Sequence, residues 1–149
     1  MATVTADNDW YGRAALHAYT TNISDLTNAG TPFLALMADS YSPSRDTDDS
    51  WDDISADETS GVNYDAGGKE IQNVTVTSTD NVTTIDGDDV TWDDSTIDAR
   101  YAVVYDAEPA DDADKKLLFL IDFGELLQSD EGEFTVSWDA AGIGEIDAT

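Results

Sequence analysis

Two apolar runs in the second half of the chain constrain its fold more than any other feature. Residues 116–123, KLLFLIDF, are apolar on both faces of an extended chain, and residues 97–106, IDARYAVVYD, become apolar on both faces toward their end. Side chains alternate between the faces of a strand, so a run that is apolar on both predicts a strand covered on both sides. We predict two central, antiparallel strands joined by the polar loop at residues 107–115.

Four further segments have strand-like composition, with turn signals between them. They are residues 32–41, 70–79, 81–92 and 133–138. In the last of these, Phe134, Val136 and Trp138 alternate with polar residues, as in a half-buried strand. The pair Asp86-Gly87 predicts a hairpin turn within the third segment. A set of about six to eight short strands predicts a mainly β, single-domain protein, an antiparallel β-sandwich or barrel.

The segments outside these strands carry their own predictions. A flexible N-terminal segment, residues 1–8, leads into a short N-terminal helix over residues 9–19. Residues 42–68 form a long acidic loop, in which Trp51 and Ile54 are three residues apart and fit one helical turn that pins the loop to the body. All 149 residues are assigned to one domain, because a chain of that length supports one hydrophobic core.

The charge balance is the second strong constraint. The chain has 33 acidic residues against 6 basic ones, a formal net charge of −27. Such a charge opposes a compact state in dilute buffer, whereas molar salt shortens the Debye length to about 3 Å and removes most of the repulsion. The apolar strands argue against disorder as the reason for this composition. We therefore expect a halophilic protein whose acidic surface keeps it soluble in concentrated salt.

The same composition argues against several partners and compartments. Neutralising phosphates requires Lys and Arg, which are sparse here, so we expect no nucleic-acid partner. We expect no membrane partner, because no apolar run approaches the roughly 18 residues of a membrane span. The N-terminus is acidic without an apolar signal core, which predicts folding in the cytoplasm. The chain has no cysteine, which excludes disulfides and Cys-based zinc sites.

Motifs for catalysis are sparse. The one histidine, His17, lies on the predicted helix, where a surface or packing role is the usual one. A pair of catalytic carboxylates cannot be identified by spacing among 33 acids, and the chain has no Gly-rich phosphate loop and no HExxH motif. We expect no enzyme activity and no cofactor, beyond loosely bound Na⁺, K⁺ or Mg²⁺ ions.

A specific calcium site is the alternative that the acidic clusters raise. Asp46, Asp48 and Asp49 are the candidate ligands, within the stretch RDTDDSWDD. An EF-hand loop requires a glycine at its sixth position and a glutamate at its twelfth. The stretch lacks that glycine and has no glutamate in register. Because acids are abundant everywhere in the chain, a solvated acidic surface is the simpler interpretation.

The aromatic residues divide into two groups. Tyr101, Tyr105 and Trp138 fit inward positions on the predicted strands, which indicates a role in the core. A second group lies in less regular segments, and we interpret it as candidate subunit contacts, since aromatic side chains are enriched in protein interfaces. It comprises Trp10, Tyr11, Tyr41 and Trp51.

Ordered short motifs along residues 9–146 resemble a family of small structural proteins of tailed viruses. In the C-terminal half they are VTWDDSTIDARYAVVYD, LLFLIDFGE and GEFTVSWDAAGIGEI. Earlier they are an SY-P turn, an acidic WDD loop and a Y-AGG turn into the next strand, within FLALMADSYSPSRDTDDSWDDISADETSGVNYDAGGKEIQNVTV. The resemblance implies a virion structural protein without enzyme activity or cofactor. Combined with the acidic surface, it implies a tailed, siphovirus-like virus of halophilic archaea.

Within such a particle we expect capsid decoration or a vertex turret, built through contacts with other copies of the chain as a trimer or pentamer. Further contacts would be with the major capsid protein or other virion proteins. Assembly would take place in the host cytoplasm at high salt. A head–tail connector or tail protein is an alternative position. An alternative of another class is a carbohydrate- or cation-binding β-sandwich for host attachment, which requires exposed aromatic rings beside a carboxylate cluster.

Overall fold

The computed structural model describes residues 2–6, 9–11 and 23–147 and is mainly β. Within those ranges it contains ten strands and a short helix followed by one 3₁₀ turn. The strands are β1 (Ala2–Ala6), β2 (Asp9–Trp10), β3 (Pro32–Met37), β4 (Gly61–Val62), β5 (Lys69–Glu70), β6 (Thr75–Thr79), β7 (Val82–Asp86), β8 (Val90–Asp106), β9 (Leu117–Trp138) and β10 (Gly144–Asp147). The helix is α1 (Trp51–Ile54), and the 3₁₀ turn spans Ser55–Asp57.

The two predicted central strands form one long antiparallel hairpin. β8 and β9 pair from Val90 opposite Val136 to Tyr105 opposite Leu117. Residues 102–106 and 117–121 are buried without interruption, so both faces of the hairpin are covered at this end. The antiparallel pairing and the two-sided burial confirm what the apolar runs predict.

The hairpin is the centre of a seven-stranded sheet. The strand order is β1-β9-β8-β3-β5, with β2 pairing with β9 and β4 pairing with β8. β1 runs parallel to β9, and the other pairs are antiparallel. A second sheet of three antiparallel strands has the order β10-β7-β6. Neither sheet closes on itself, since each strand order has two ends.

The predicted strand number and the hairpin at Asp86-Gly87 are wrong. Residues 133–138 are the end of β9 rather than a separate strand, and several two-residue strands bring the total to ten. β7 ends at Asp86 but pairs with β6 and β10, not with β8. The hairpin turn is instead Asp80-Asn81, with φ of 52° and 66°, the left-handed conformations that a two-residue turn between antiparallel strands requires.

The N-terminal predictions also change. Asp9 and Trp10, predicted to begin a helix, form β2 and pair with Leu120 and Phe119 of β9. Tyr11 extends this edge, because its N–H donates to the Leu118 carbonyl at 3.0 Å. The segment predicted to be flexible contributes β1, and the remainder of the predicted helix, with His17, lies outside the described residues. Backbone N–H and C=O groups of residues 9–11 therefore form hydrogen bonds with β9 instead of within a helix.

One continuous apolar core joins the two sheets and the acidic loop. The main sheet contributes Leu34, Phe119 and Phe134, and the loop contributes Trp51 and Ile54. The small sheet joins the same core through Ile85 and Ile143. It packs so closely that a side chain at Gly144 would overlap the Phe119 ring. The core therefore lies on both sides of the central hairpin.

Candidate functional site

The long acidic loop, residues 42–68, folds against the main sheet. Trp51 and Ile54 are 5% and 1% exposed, and the predicted helical turn that places both toward the body is confirmed as α1. The indole of Trp51 stacks on Tyr105 of β8. The acidic loop is thus an ordered part of the domain rather than a free acidic segment.

The three calcium candidates in this loop do not face one another around a common point. Asp48 Oδ2 accepts hydrogen bonds from the Tyr41 hydroxyl at 2.8 Å and the Ser44 N–H at 2.9 Å. Asp49 pairs with Lys116 at 3.1 Å, and Asp46 is exposed. In the described part of the chain, no three Asp, Glu or His side chains are grouped so as to hold a metal ion. Calcium binding at these residues stays a prediction.

Other carboxylates in the loop also accept hydrogen bonds from the chain itself. Asp53 Oδ2 accepts the N–H groups of Asp49 and Ser50 at 2.9 and 3.0 Å, which caps the start of α1. Glu58 Oε1 accepts the Tyr64 hydroxyl and the Gly67 N–H, both at 2.7 Å. The acids here shape the backbone of the loop.

Three of the four aromatic residues predicted to make subunit contacts lie in the core instead. Tyr11 is 1% exposed and Tyr41 is 5% exposed, and their hydroxyls are 3.1 Å apart. Trp51 is stacked inside the domain, and the side chain of Trp10 lies outside the described residues. The prediction for Tyr11, Tyr41 and Trp51 is corrected, because packing within the chain leaves them almost no surface for a neighbour. Burial of Tyr41 and Trp51 also deprives the acidic loop of the exposed rings that a carbohydrate site there requires.

Burial changes the acid–base properties of this region. It raises the pKa of the Tyr11, Tyr41, Tyr64 and Tyr105 hydroxyls well above the ordinary value, so all four stay neutral at a pH where a free tyrosine ionises. Burial likewise raises the pKa of Glu58 above its usual range, against the two hydrogen bonds that favour its charged form. Sequence reasoning missed this carboxylate, because its donors lie six and nine residues away in an irregular segment.

The basic side chains are used mainly within the chain. Arg100 pairs with Asp122, Lys115 with Asp112 at 2.8 Å, and Lys116 with Asp49. Lys69 donates to the Thr91 carbonyl and lies 5.9 Å from the Trp92 ring centroid. With 6 basic residues against 33 acids, ion pairs can neutralise only a minority of the carboxylates.

Two open clefts are present on the described surface. One, of about 420 Å³, is lined by residues 27–29 and 70–75; the other, of about 400 Å³, is lined by residues 38–40 and 58–60 with Asp98 and Leu126. Neither is lined by an aromatic or histidine side chain. No helix among the described residues is long and apolar enough to cross a membrane.

The small sheet presents a different kind of surface. All five residues of β6 are exposed, and Val76 is 45% exposed. β6 contains no charged residue, in contrast to the acidic surface around it. The composition of residues 70–79 predicts one strand, whereas the structure has the end of β5 and all of β6 there with residues 71–74 between them, and composition does not indicate that β6 is exposed on both faces. An exposed, uncharged strand at a sheet edge is a surface for pairing with another strand.

No family model, curated protein or solved structure matches this chain. What its surface can do therefore follows from its own residues. They provide a carboxylate-rich exterior, aromatic rings packed inward and the uncharged strand edge of β6.

Proposed function

We propose that this protein is a non-enzymatic structural component of the virion of a halophilic tailed virus, where it decorates the capsid or forms part of a vertex turret. The observation that carries the proposal is the combination of a rigid β core with a surface whose acids far outnumber the cations. Several carboxylates, among them Asp48, Asp53 and Glu58, accept hydrogen bonds from the chain itself, which suits a scaffold. The motif pattern shared with small structural proteins of tailed viruses supports the same role.

The mechanism we propose is assembly through protein–protein contacts that concentrated salt permits. With a net charge of −27 each, two copies of the chain repel one another in dilute buffer. In molar salt the Debye length falls to about 3 Å, so the repulsion between charges farther apart than this is largely screened. The partners are further copies, as a trimer or pentamer, and the major capsid protein or other virion proteins. A place in the head–tail connector or the tail is the alternative position.

We also propose that the two sheets act as the layers of an open sandwich within the particle. Ile85 and Ile143 of the small-sheet region share the core with Phe119 of the main sheet. The close approach of Gly144 to the same ring supports a fixed rather than a sliding contact between the layers. A rigid domain of two layers presents the same surface at each site where a copy attaches to the particle.

The oligomeric state as a function of salt tests the proposal. We expect light scattering to give a stable oligomer in about 2–3 M salt, which dissociates as salt falls and the Debye length grows. A monomer at every salt and protein concentration would contradict it. Titration with calcium in a high sodium background tests the host-attachment alternative, which saturable, stoichiometric binding would favour.

Mass spectrometry of purified particles tests the position. The copy number relative to the major capsid protein separates the alternatives: a few copies indicate the connector or tail tip, tens a vertex ornament, and hundreds a shell or tail-tube component. Absence of the chain from the particles would contradict the virion role as a whole.

A further inference from the structure

The free edge of β6 (Thr75–Thr79) is an exposed strand edge without charge. The order β10-β7-β6 leaves one side of β6 without a strand partner among the described residues. Every residue of the strand is exposed. Residues 71–79 contain no Asp, Glu, Lys or Arg, although the chain carries 33 acids. The edge of β6 is therefore exposed and free of charge in a strongly acidic chain.

Proteins that avoid edge-to-edge association protect an exposed edge with a charge, a proline, a bulge or a very short strand. β5, at one end of the main sheet, follows this rule, since it is two residues long and contains Lys69 and Glu70, whereas β1 at the other end (Ala2–Ala6) is uncharged. β6 has five residues, no proline and no charge, and is rich in Thr and Val, which favour strands. These are the properties of a strand edge that can pair with another strand.

The turn at Asp80-Asn81 determines which backbone groups are free. In a two-residue hairpin the residues that flank the turn form a hydrogen-bonded pair, and bonded and non-bonded pairs then alternate. Thr79 and Val82 flank the turn, and Ser78 lies opposite Thr83. The N–H and C=O groups of Thr77 and Thr79 therefore face β7, whereas those of Val76 and Ser78 point to the free edge.

We propose that β6 pairs with β6 of a second copy of this chain, antiparallel, about a two-fold axis through Val76. A two-fold contact uses the same patch on both copies, and this register places Val74 opposite Ser78 on either side of the axis. Within β6 itself, Val76 then meets Val76 of the second copy through two backbone hydrogen bonds.

The charge distribution selects a second copy as the occupant. Two chains of −27 bring carboxylates together wherever their acidic surfaces meet, but not along residues 71–79. A cationic partner would be drawn to the carboxylates instead of this uncharged edge. Pairing two copies here also joins their small sheets into one continuous sheet.

This contact rests on the self-association in the proposed function and adds the surface that carries it. Because a two-fold contact does not itself close a ring of three or five, it acts between two rings or as a dimer. The ring contact and the strand contact can therefore fail separately.

The first test compares V76D with V62D by sedimentation in about 3 M salt, at which the Debye length is below about 3 Å. Both valines are exposed, at 45% and 61%, but Val62 lies on β4 in the main sheet. V76D replaces a β-branched residue at the axis with a carboxylate that loses its water when the strands pair, and we expect about a tenfold or greater weakening of association. V62D should associate as the unsubstituted protein does.

The outcomes separate the two proposals. Association of V76D as tight as that of the unsubstituted protein overturns strand pairing and leaves the structural role standing. An unsubstituted protein that is monomeric throughout overturns both. Circular dichroism in the same salt checks that V76D is folded. If V76D is not folded, a cysteine variant provides an independent test.

The second test uses the absence of cysteine from the chain, which makes one introduced thiol a specific probe. Hydrogen-bonded antiparallel pairs have Cα atoms about 5.5 Å apart, within the range that a disulfide spans. We expect V76C to form a covalent dimer under mild oxidation and V62C to remain largely monomeric. Absence of the V76C dimer, or equal cross-linking of both variants, would overturn the pairing.

Discussion

The indole of Trp51 lies flat on the phenol ring of Tyr105, with the ring centroids 4.5 Å apart and 10° between the ring planes. Trp51 begins α1 in the acidic loop, and Tyr105 lies at the end of β8. The Tyr105 hydroxyl donates to the Gly67 carbonyl at 2.7 Å, near the end of the same loop. One side chain of the main sheet therefore holds two distant points of the acidic loop.

Removal of the Trp51 ring should detach this loop. We expect W51A to lower the free energy of unfolding by about 3–5 kcal/mol, because the ring is buried and leaves a cavity. W51F keeps a ring against Tyr105 and should cost clearly less. Denaturant unfolding at one fixed, high salt concentration measures both. A loss below about 1 kcal/mol for W51A would show that the stack does not hold the loop.

The parts of this fold that the sequence predicts are those with local causes. The run of residues 117–121 is apolar on both faces because the strand is buried on both sides, and such a run is visible without knowledge of its neighbours. The three-residue spacing of Trp51 and Ile54 likewise indicates a helical turn by itself. Both predictions depend only on adjacent residues.

The predictions that fail depend on distant residues. Asp86-Gly87 and Asp80-Asn81 are both plausible turns, and only the pairing of β7 with β6 selects the second. Tyr41 looks like a surface aromatic until the acidic loop folds over it. The exposure of β6 depends on where the small sheet sits against the body. Such outcomes are set by tertiary packing, which propensity and spacing do not encode.

Glu58 should make stability depend on pH in a direction opposite to that of an ordinary surface carboxylate. Burial raises its pKa, so the folded protein holds this proton more tightly than the unfolded chain does. Its contribution to stability is therefore present below the usual carboxyl pKa and is lost as pH rises through the raised value. E58Q keeps an oxygen that accepts from Tyr64 and Gly67 without the charge.

We expect E58Q to be more stable than the unsubstituted protein at neutral pH, with the difference shrinking as the pH falls toward the usual carboxyl pKa. E58A leaves the Tyr64 hydroxyl and the Gly67 N–H without this acceptor and should cost about 1–3 kcal/mol. Unfolding curves across pH at constant salt measure both variants against the same background of other acids. A difference between E58Q and the unsubstituted protein that grows on acidification would contradict the assigned pKa shift.

The buried tyrosines should resist ionisation until the protein unfolds. Free tyrosine ionises near pH 10, and burial raises the pKa of four of the six in this chain. Because the folded state keeps these protons and the unfolded state loses them, stability is lost as pH rises above about 10. We expect ultraviolet absorbance to show a steep, late ionisation phase that coincides with loss of the β-sheet circular dichroism signal.

A phenylalanine variant assigns this phase to particular residues. Y105F removes one ionising group and should reduce the amplitude of the steep phase by about one tyrosine equivalent. Tyr105 also loses its bond to the Gly67 carbonyl, so a modest decrease in the unfolding pH is expected as well. Ionisation of all tyrosines near pH 10 in a protein that is still folded would rule out the burial described here.

Gly68 should tolerate no side chain, although an equivalent glycine elsewhere does. Gly68 and Gly30 have nearly the same left-handed backbone, with φ of 79° and 81°. A Cβ at Gly68 would overlap the Leu34 carbonyl and approach Ala35 Cα to 2.7 Å, whereas a Cβ at Gly30 meets no atom within 4 Å. The difference between G68A and G30A therefore isolates the contact between the acidic loop and β3 from the cost of the backbone conformation.

We expect G30A to cost about 1–2 kcal/mol, the usual penalty of a left-handed conformation for a residue with a Cβ. G68A should cost at least about 2 kcal/mol more, because β3 is buried in the main sheet and the overlapping atoms belong to its backbone. Urea unfolding in fixed salt gives both values from the shift in midpoint. Equal losses would mean that the acidic loop can move away from β3 at little cost, and the close packing of its C-terminal end would not contribute to stability.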